Sequence, residues 1–224
     1  MNLYRNNLTI GSIPQLDVVV PEFFPKTGLV SYYKLDGNSN DAHGSNDGSA
    51  SNISYEAGQT GQRAVFNGSS SLINCGNDAS LKLTKGTISA LIKTSNAGSG
   101  YRGIIVKQMA YGMFLSDNVL VAYSWDTGTE KTTGINLADG NLHWVVLEFD
   151  SGVSNGTKVY IDNVLKLTTT MTVKDQTVAL SIGTGGSTAT QVFTGAIEEV
   201  GIWSRHLTTD EKNTLYNSGT ILTY

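Results

Sequence analysis

From Leu29 onward the chain is interrupted about every ten residues by Gly, Asn, Asp and Ser, and strand-length apolar runs lie between the interruptions. That spacing leaves room for a strand and a turn but not for a packed helix, so it points to an all-β sandwich or jelly roll. The clearest runs are Leu29 to Leu35, Thr87 to Lys93, Arg102 to Lys107, Asn118 to Ser124, His143 to Asp150, Lys158 to Asp162, Val178 to Ile182 and Ala196 to Trp203. In GTISALIK, Ile88, Ala90 and Ile92 share one face while Thr87, Ser89 and Lys93 take the other, with Leu91 as the exception. The expectation is a half-buried strand. Asn155-Gly156 and Asp162-Asn163 stand between runs and tolerate the positive φ of tight turns.

Composition agrees with this reading. Gly, Ser, Thr and Asn supply 90 of the 224 residues, and only 15% are charged against about 25% in an average soluble protein. The length suits one β-rich domain with a short appendage. The 15 Lys and Arg are scattered over a chain of net charge −4, which excludes the basic stripe that nucleic acid needs. No apolar run approaches the roughly 20 residues of a membrane span, and MNLYRNNLTI lacks a signal-peptide core, so neither membrane insertion nor conventional secretion is expected.

All three prolines, Pro14, Pro21 and Pro25, fall before residue 26, beside a Val18 to Val20 run and a Phe23-Phe24 pair. Residues 1–27 are therefore read as an extended arm that docks on a partner, and residues 28–224 as the domain. Near the other end, Thr208 and Glu211 have capping-box spacing, Leu215 and Tyr216 offer an apolar side, and Gly219 is placed to end one short helix. Cys75 stands alone and far in sequence from His43, His143 and His206, which favours an inert buried thiol over a nucleophile.

The blocks LVSYYKLDGNSND (Leu29 to Asp41), GQRAVFNGSSSLI (Gly61 to Ile73), GTISALIK (Gly86 to Lys93), LHWVVLEFD (Leu142 to Asp150), KVYIDNVL (Lys158 to Leu165) and FTGAIEEVGIWSRHLTTDE (Phe193 to Glu211), in that order, resemble the laminin-G-like, concanavalin A-like jelly-roll domains. The resemblance implies two curved antiparallel sheets packed face to face. Leu91 stands where relatives often carry Trp, and Glu198 where they often carry Asp. It also implies a structural calcium held between the turn at Asp36 and the last long strand.

Asp36, Asn38 and Asn40 place three oxygen-bearing side chains at alternate positions of a Gly-containing turn, as hard Ca²⁺ ligands require. With Glu198 from the resemblance they form the candidate metal set. The same turn also reads as an Asx-rich turn without metal, and the two readings stand side by side. An EF-hand is excluded, because Asp41 occupies the obligatory Gly position and the flanks are strand-like.

Catalysis is not expected. Glu148 and Asp150 lie two apart on one strand face, but Ser151 and Gly152 follow where hydrolases on this fold carry a third carboxylate. Glu198 and Glu199 are adjacent and so point to opposite faces of a regular strand. Sugar recognition needs an aromatic face for the C–H side of a pyranose and polar groups for its hydroxyls. Tyr101 with Arg102, Tyr111, and Trp125 with Asp126 are the candidates, whereas Trp144 and Trp203 lie in strands and read as core.

The expected function is a non-catalytic carbohydrate-binding or adhesion module. Its partners would be a glycan or host-surface polysaccharide and, through the arm, other structural proteins. A homo-oligomer displayed on a virion surface or outside the cell fits this reading. The alternative is a purely structural assembly protein, and a glycoside hydrolase ranks behind both.

Overall fold

The computed structural model describes residues 23–224. The proposed arm therefore lies almost entirely outside the described residues. In chain order the first strands are β1 (Leu29–Tyr33), β2 (Ser49–Ser51), β3 (Ser54–Ala57), β4 (Gln62–Asn67), β5 (Leu72–Asn74), β6 (Lys85–Lys93), β7 (Tyr101–Lys107) and β8 (Tyr111–Ser116). They are followed by β9 (Val119–Ser124), β10 (Thr129–Asn136), β11 (Leu142–Asp150), β12 (Thr157–Ile161), β13 (Val164–Thr169), β14 (Leu180–Ile182), β15 (Thr194–Trp203) and one helix, α1 (Thr209–Tyr216).

The strands form two antiparallel sheets. The first runs β13-β12-β11-β6-β15-β4-β3 with β1 also on β15, and the second runs β10-β9-β8-β7-β14-β5-β2. Ile88, Ile92, Val145, Leu147 and Ile197 of the first sheet meet Ile105, Met113, Leu115, Leu120 and Ile182 of the second in one core. This is the jelly-roll sandwich that the strand spacing predicts.

β6 is not half-buried but buried on both faces of its sheet. A second apolar cluster covers its outer face, where Leu91, Trp144, Val146 and Trp203 pack under Leu207, Leu215 and Ile221. Leu91 thus has a partner on the face that GTISALIK assigns to solvent. The cover comes from α1 and the tail after it, which local periodicity within β6 cannot report.

The capping box is present: the Glu211 N–H donates to Thr208 Oγ1 at 3.2 Å, and the Thr208 N–H donates to Glu211 Oε2 at 2.8 Å. The helix ends earlier than expected, at Asn217 in the left-handed region with φ 39°, and Gly219 closes the turn beyond it. Asp162 and Asn163 (φ 50° and 62°) make a two-residue hairpin between β12 and β13, because an Asx pair tolerates the positive φ that such a turn needs. Cys75 is buried, and that burial pushes its thiol up to about 12.

The domain starts earlier than residue 28. Phe24 packs edge-on to Tyr32 and lies nearly parallel to Trp203, whose Nε1–H donates to the Pro25 carbonyl at 2.8 Å. Arg205 Nε donates to the Thr27 carbonyl at 2.8 Å. Residues 24–27 are therefore part of the packed structure.

His143 bridges two turns, with Nδ1 2.8 Å from Asp162 Oδ2 and Nε2 3.2 Å from Asp139 Oδ1. The Asp162 hydrogen bond, above all, raises the imidazole above its ordinary value. The resulting stabilisation is complete below the unfolded-state pKa of about 6.5 and is lost as pH rises through the folded-state value. Urea unfolding is expected to show a decline in stability from about pH 6 to pH 8 that is smaller in His143→Gln.

Candidate functional site

Alternation along β8 and β9 divides their side chains between two environments. Met113, Leu115, Leu120 and Ala122 enter the main core, whereas Phe114 and Val121 join Val106 in a small cluster on the outer face of the second sheet. Tyr101, Tyr123 and Trp125, all half-buried, pack around that cluster. Ring centroids lie 5.5 Å apart for Tyr101 and Tyr123, 5.2 Å for Tyr123 and Trp125, and 6.1 Å for Phe114 and Trp125. Gly112 lets the indole approach the strand, since a Cβ there would stand 3.3 Å from Trp125 Cη2.

The opposite wall is the loop after β14. It rests on Gly103 of β7, where a Cβ would lie 2.2 Å from the Thr184 carbonyl carbon and oxygen. The Gly103 N–H donates to the Gln191 carbonyl at 2.9 Å, and the Gly185 N–H to the Thr190 carbonyl at 3.0 Å. Between the aromatic rings and this loop is a cavity of about 190 Å³, flanked by the side chains of Gln108 and Gln191. Both glutamines are exposed. Neither amide is hydrogen-bonded among the described residues, so each keeps a donor and an acceptor for a ligand.

Two of the five binding candidates, Tyr101 and Trp125, line this cavity. Tyr111 does not: it is fully buried, its hydroxyl donates to the Leu81 carbonyl at 2.8 Å, and its ring stacks on Phe149. Tyr111 opens β8, whose run is YGMFLS, so its position reads as a loop edge in the sequence. Arg102 turns away, donating from Nε to the Ala97 carbonyl at 3.0 Å. Asp126 accepts from the Ser124 hydroxyl, which lowers its carboxyl below the usual range. The sequence reading missed Phe114, Tyr123, Gln108 and Gln191. The period-two series Val119, Val121, Tyr123 carried a signal for Tyr123, whereas the glutamines had none.

Three of the four candidate calcium ligands, Asp36, Asn38 and Glu198, have other partners. Asp36 Oδ1 accepts from the Gln62 N–H at 2.8 Å, and Asn38 Oδ1 accepts from the Asn40 N–H at 2.9 Å, which is the Asx-turn arrangement. Glu198 is buried, and its Oε2 accepts from the Gln59 N–H at 2.9 Å. Its Oε1 is buried without a hydrogen-bond partner, but Arg63 Nη1 faces it at 3.9 Å, so a cation already stands there. Among the described residues no three His, Cys, Asp or Glu side chains gather as a metal shell. As folded, Asp36, Asn38 and Glu198 are engaged by other groups of this chain, and the Arg63 guanidinium stands beside the Glu198 carboxylate.

Glu198 and Glu199 do not point to opposite faces. One extra residue in β15 against β6 makes a bulge between Glu198 and Gly201, and Glu199 takes φ 53°. The bulge turns both carboxylates toward residues 58–61: Glu199 Oε1 accepts from Thr60 Oγ1 at 3.1 Å, and Glu199 also accepts from the Tyr32 hydroxyl. Burial pushes Glu199 up to about 7 against those hydrogen bonds. Glu148 lies beneath α1, where its Oε1 accepts from Lys212 Nζ at 2.6 Å, while Asp150 pairs with Lys85 at 2.8 Å. Two carboxylates so differently engaged do not form an acid and base pair.

Two packed antiparallel sheets with an open aromatic cavity on one outer face place the chain among the lectin-like jelly-roll sandwiches. A family model described as the concanavalin A-like lectin/glucanases superfamily matches residues 67–211. That is well over half of the chain, and the chain belongs to this superfamily. No curated protein matches it in sequence. Among solved structures it is similar to domain 4 of AbnA, a GH43 extracellular arabinanase from Geobacillus stearothermophilus, in complex with arabinotriose. The TM-score is 0.66 at 20% identity, covering 82% of this chain and 96% of that one. It is also similar to Trypanosoma rangeli sialidase in complex with sialic acid (TM-score 0.67, 15% identity, 88% of this chain and 34% of that one). A third is the binding domain of botulinum neurotoxin DC in complex with SialylT (TM-score 0.60, 12% identity, 85% and 51%). The chain thus spans about a third of the sialidase and half of the neurotoxin domain, and at these identities the likeness is one of fold.

Proposed function

We propose that this protein is a non-catalytic carbohydrate-binding module whose ligand occupies the cavity between Tyr101, Tyr123, Trp125 and the loop carrying Gln191. The observation that carries the reading is the pairing of half-buried aromatic rings with two amides that have no partner among the described residues. The rings can cover the C–H face of a sugar, and the amides can donate to and accept from its hydroxyls. The arabinotriose and sialic acid complexes of the similar structures support the ligand class.

In the same proposal the module is displayed on a larger assembly, at a virion surface or outside the cell, with residues 1–22 reaching structural partners. The docking of Phe24 to Thr27 on Trp203 and Arg205 supports it, because a load on the preceding residues would reach the packed domain directly. Several copies would raise the avidity of a site this small.

A glycan array probed with the full chain tests the reading. Binding to a defined sugar class is expected, equally in calcium and in chelator, and unchanged in a chain lacking residues 1–22. Trp125→Ala is expected to weaken it at least tenfold, in line with loss of an aromatic contact surface of about 1–3 kcal/mol. No binding in either buffer would favour the purely structural role.

A further inference from the structure

We infer that the aromatic cavity selects one ring of a neutral glycan and discriminates against sugars bearing a carboxylate, because amides and phenols line it, the charged groups close to its rings are carboxylates, and the nearby basic side chains are held elsewhere. This inference rests on the carbohydrate-binding reading above and narrows it.

Four observations carry it. Among the described residues no Lys or Arg lines the cavity, whose polar side chains are those of Gln108, Gln191, Tyr101, Tyr123 and Trp125. Arg102, next to Tyr101 in sequence, is held by the Ala97 carbonyl and lies against Gly98, where a Cβ would stand 3.0 Å from its Nε and Nη2. Lys107, at the far end of the same strand, is fully buried, and its ammonium donates to Asn77 and, at 2.8 Å, to the Val178 carbonyl. Glu130, by contrast, pairs directly across from Tyr123 in β10 and β9 and so shares the outer face with the rings.

The local field has the same sign. Burial raises the Tyr101 phenol above its ordinary value, and the Glu130 and Asp117 carboxylates push it in the same direction. Asp126, beside Trp125, is held in its charged form by the Ser124 hydroxyl. A sialic or uronic acid entering this space would lose water from its carboxylate and meet like charge without a guanidinium or ammonium to pair it. Proteins that bind such groups supply Arg or Lys for the purpose. Hydroxyls meet no such penalty.

Size adds a further restriction. About 190 Å³ is less than the roughly 300–1,000 Å³ of common small-molecule clefts, so a single ring fills the space and the rest of an oligosaccharide lies outside. The sialic acid and SialylT complexes of the similar structures would suggest an acidic ligand, and the charge pattern of this chain argues for the opposite choice.

The test uses the full chain on matched glycan pairs, each a neutral oligosaccharide beside its sialylated or uronic acid-bearing counterpart, with lactose and 3′-sialyllactose as one pair. Titration calorimetry of the strongest pair gives the affinity ratio. The expected result is a neutral member bound at least tenfold more tightly, lost in Trp125→Ala, with the ratio reduced in Glu130→Gln. Gln191→Ala, at an exposed residue whose side-chain amide makes no hydrogen bond among the described residues, serves as a second variant that does not depend on repacking the rings. An acidic member bound as well as its neutral counterpart, and lost in Trp125→Ala, would overturn the charge selection and leave the carbohydrate-binding reading standing. Binding to neither member of any pair would overturn both.

Discussion

Replacing Lys212 with Met is expected to lower the free energy of unfolding by about 3–5 kcal/mol, because it leaves a carboxylate buried without its counter-ion. Lys212 and Glu148 are 7% and 3% exposed at their side chains and meet at 2.6 Å between α1 and β11. The ammonium also donates to the Leu207 carbonyl at 3.1 Å, and the Tyr160 hydroxyl donates to the other Glu148 oxygen at 3.1 Å. This network pins the helix over the outer face of the first sheet. A typical domain has only about 5–15 kcal/mol to lose, so the variant should unfold at much lower urea or guanidinium concentration. The double variant Glu148→Leu/Lys212→Met should recover most of the loss, since a buried ion pair replaced by apolar side chains of similar volume is often neutral. Part of the deficit should remain, because the Tyr160 hydroxyl would lose its acceptor. A single-variant cost below about 1 kcal/mol would mean that water reaches the pair.

The same network shows where the sequence ceased to be informative. Strand existence was legible because apolar runs bounded by Asn, Asp and Gly impose turns locally, and Asp162-Asn163 made its hairpin as read. The capping box was legible for a similar reason, as both of its hydrogen bonds span three residues. What covers the outside of a sheet depends on contacts between Leu91 and residues more than a hundred positions away, and no local period encodes them. The bulge at Glu198 and Glu199 was hidden in the same way. An extra residue in one strand is defined only against its partner, and Glu199 occupies a left-handed conformation that Glu does not advertise.

The site was legible only in part. Tyr101 and Trp125, which line the cavity, are legible because aromatic residues at strand ends stand out, and Arg102 is a candidate only as the neighbour of Tyr101. Alternation along β7 sends it the other way, to the Ala97 carbonyl. Tyr111 shows the converse. Its position reads as a loop edge in the sequence, although its ring closes the core on Phe149. Gln191 reaches the cavity through a loop whose course is fixed by hydrogen bonds to a distant strand, so nothing near it in sequence marks it as a cavity-lining residue.

That dependence leads to a second large effect, at a residue that touches no ligand. Gly103→Ala is expected to cost about 2–4 kcal/mol, combining the strain of overpacking with loss of one backbone hydrogen bond. The added methyl would stand 2.2 Å from the Thr184 carbonyl carbon and oxygen and 2.6 Å from the Gly185 nitrogen. These are backbone atoms and cannot swing aside as a side-chain terminus would. The loop must lift, and the bond from the Gly103 N–H to the Gln191 carbonyl is the first to stretch. Glycan affinity should therefore fall at least tenfold even where the variant remains folded, because the wall opposite the rings has moved. Gln191→Ala separates the two consequences: it should weaken binding while leaving the unfolding transition close to that of the parent chain. Chemical unfolding and glycan titration of both variants decide the matter. A Gly103→Ala chain with parental stability and affinity would show that the loop is not seated on β7, and the Gln191 amide would then lose its place in the site.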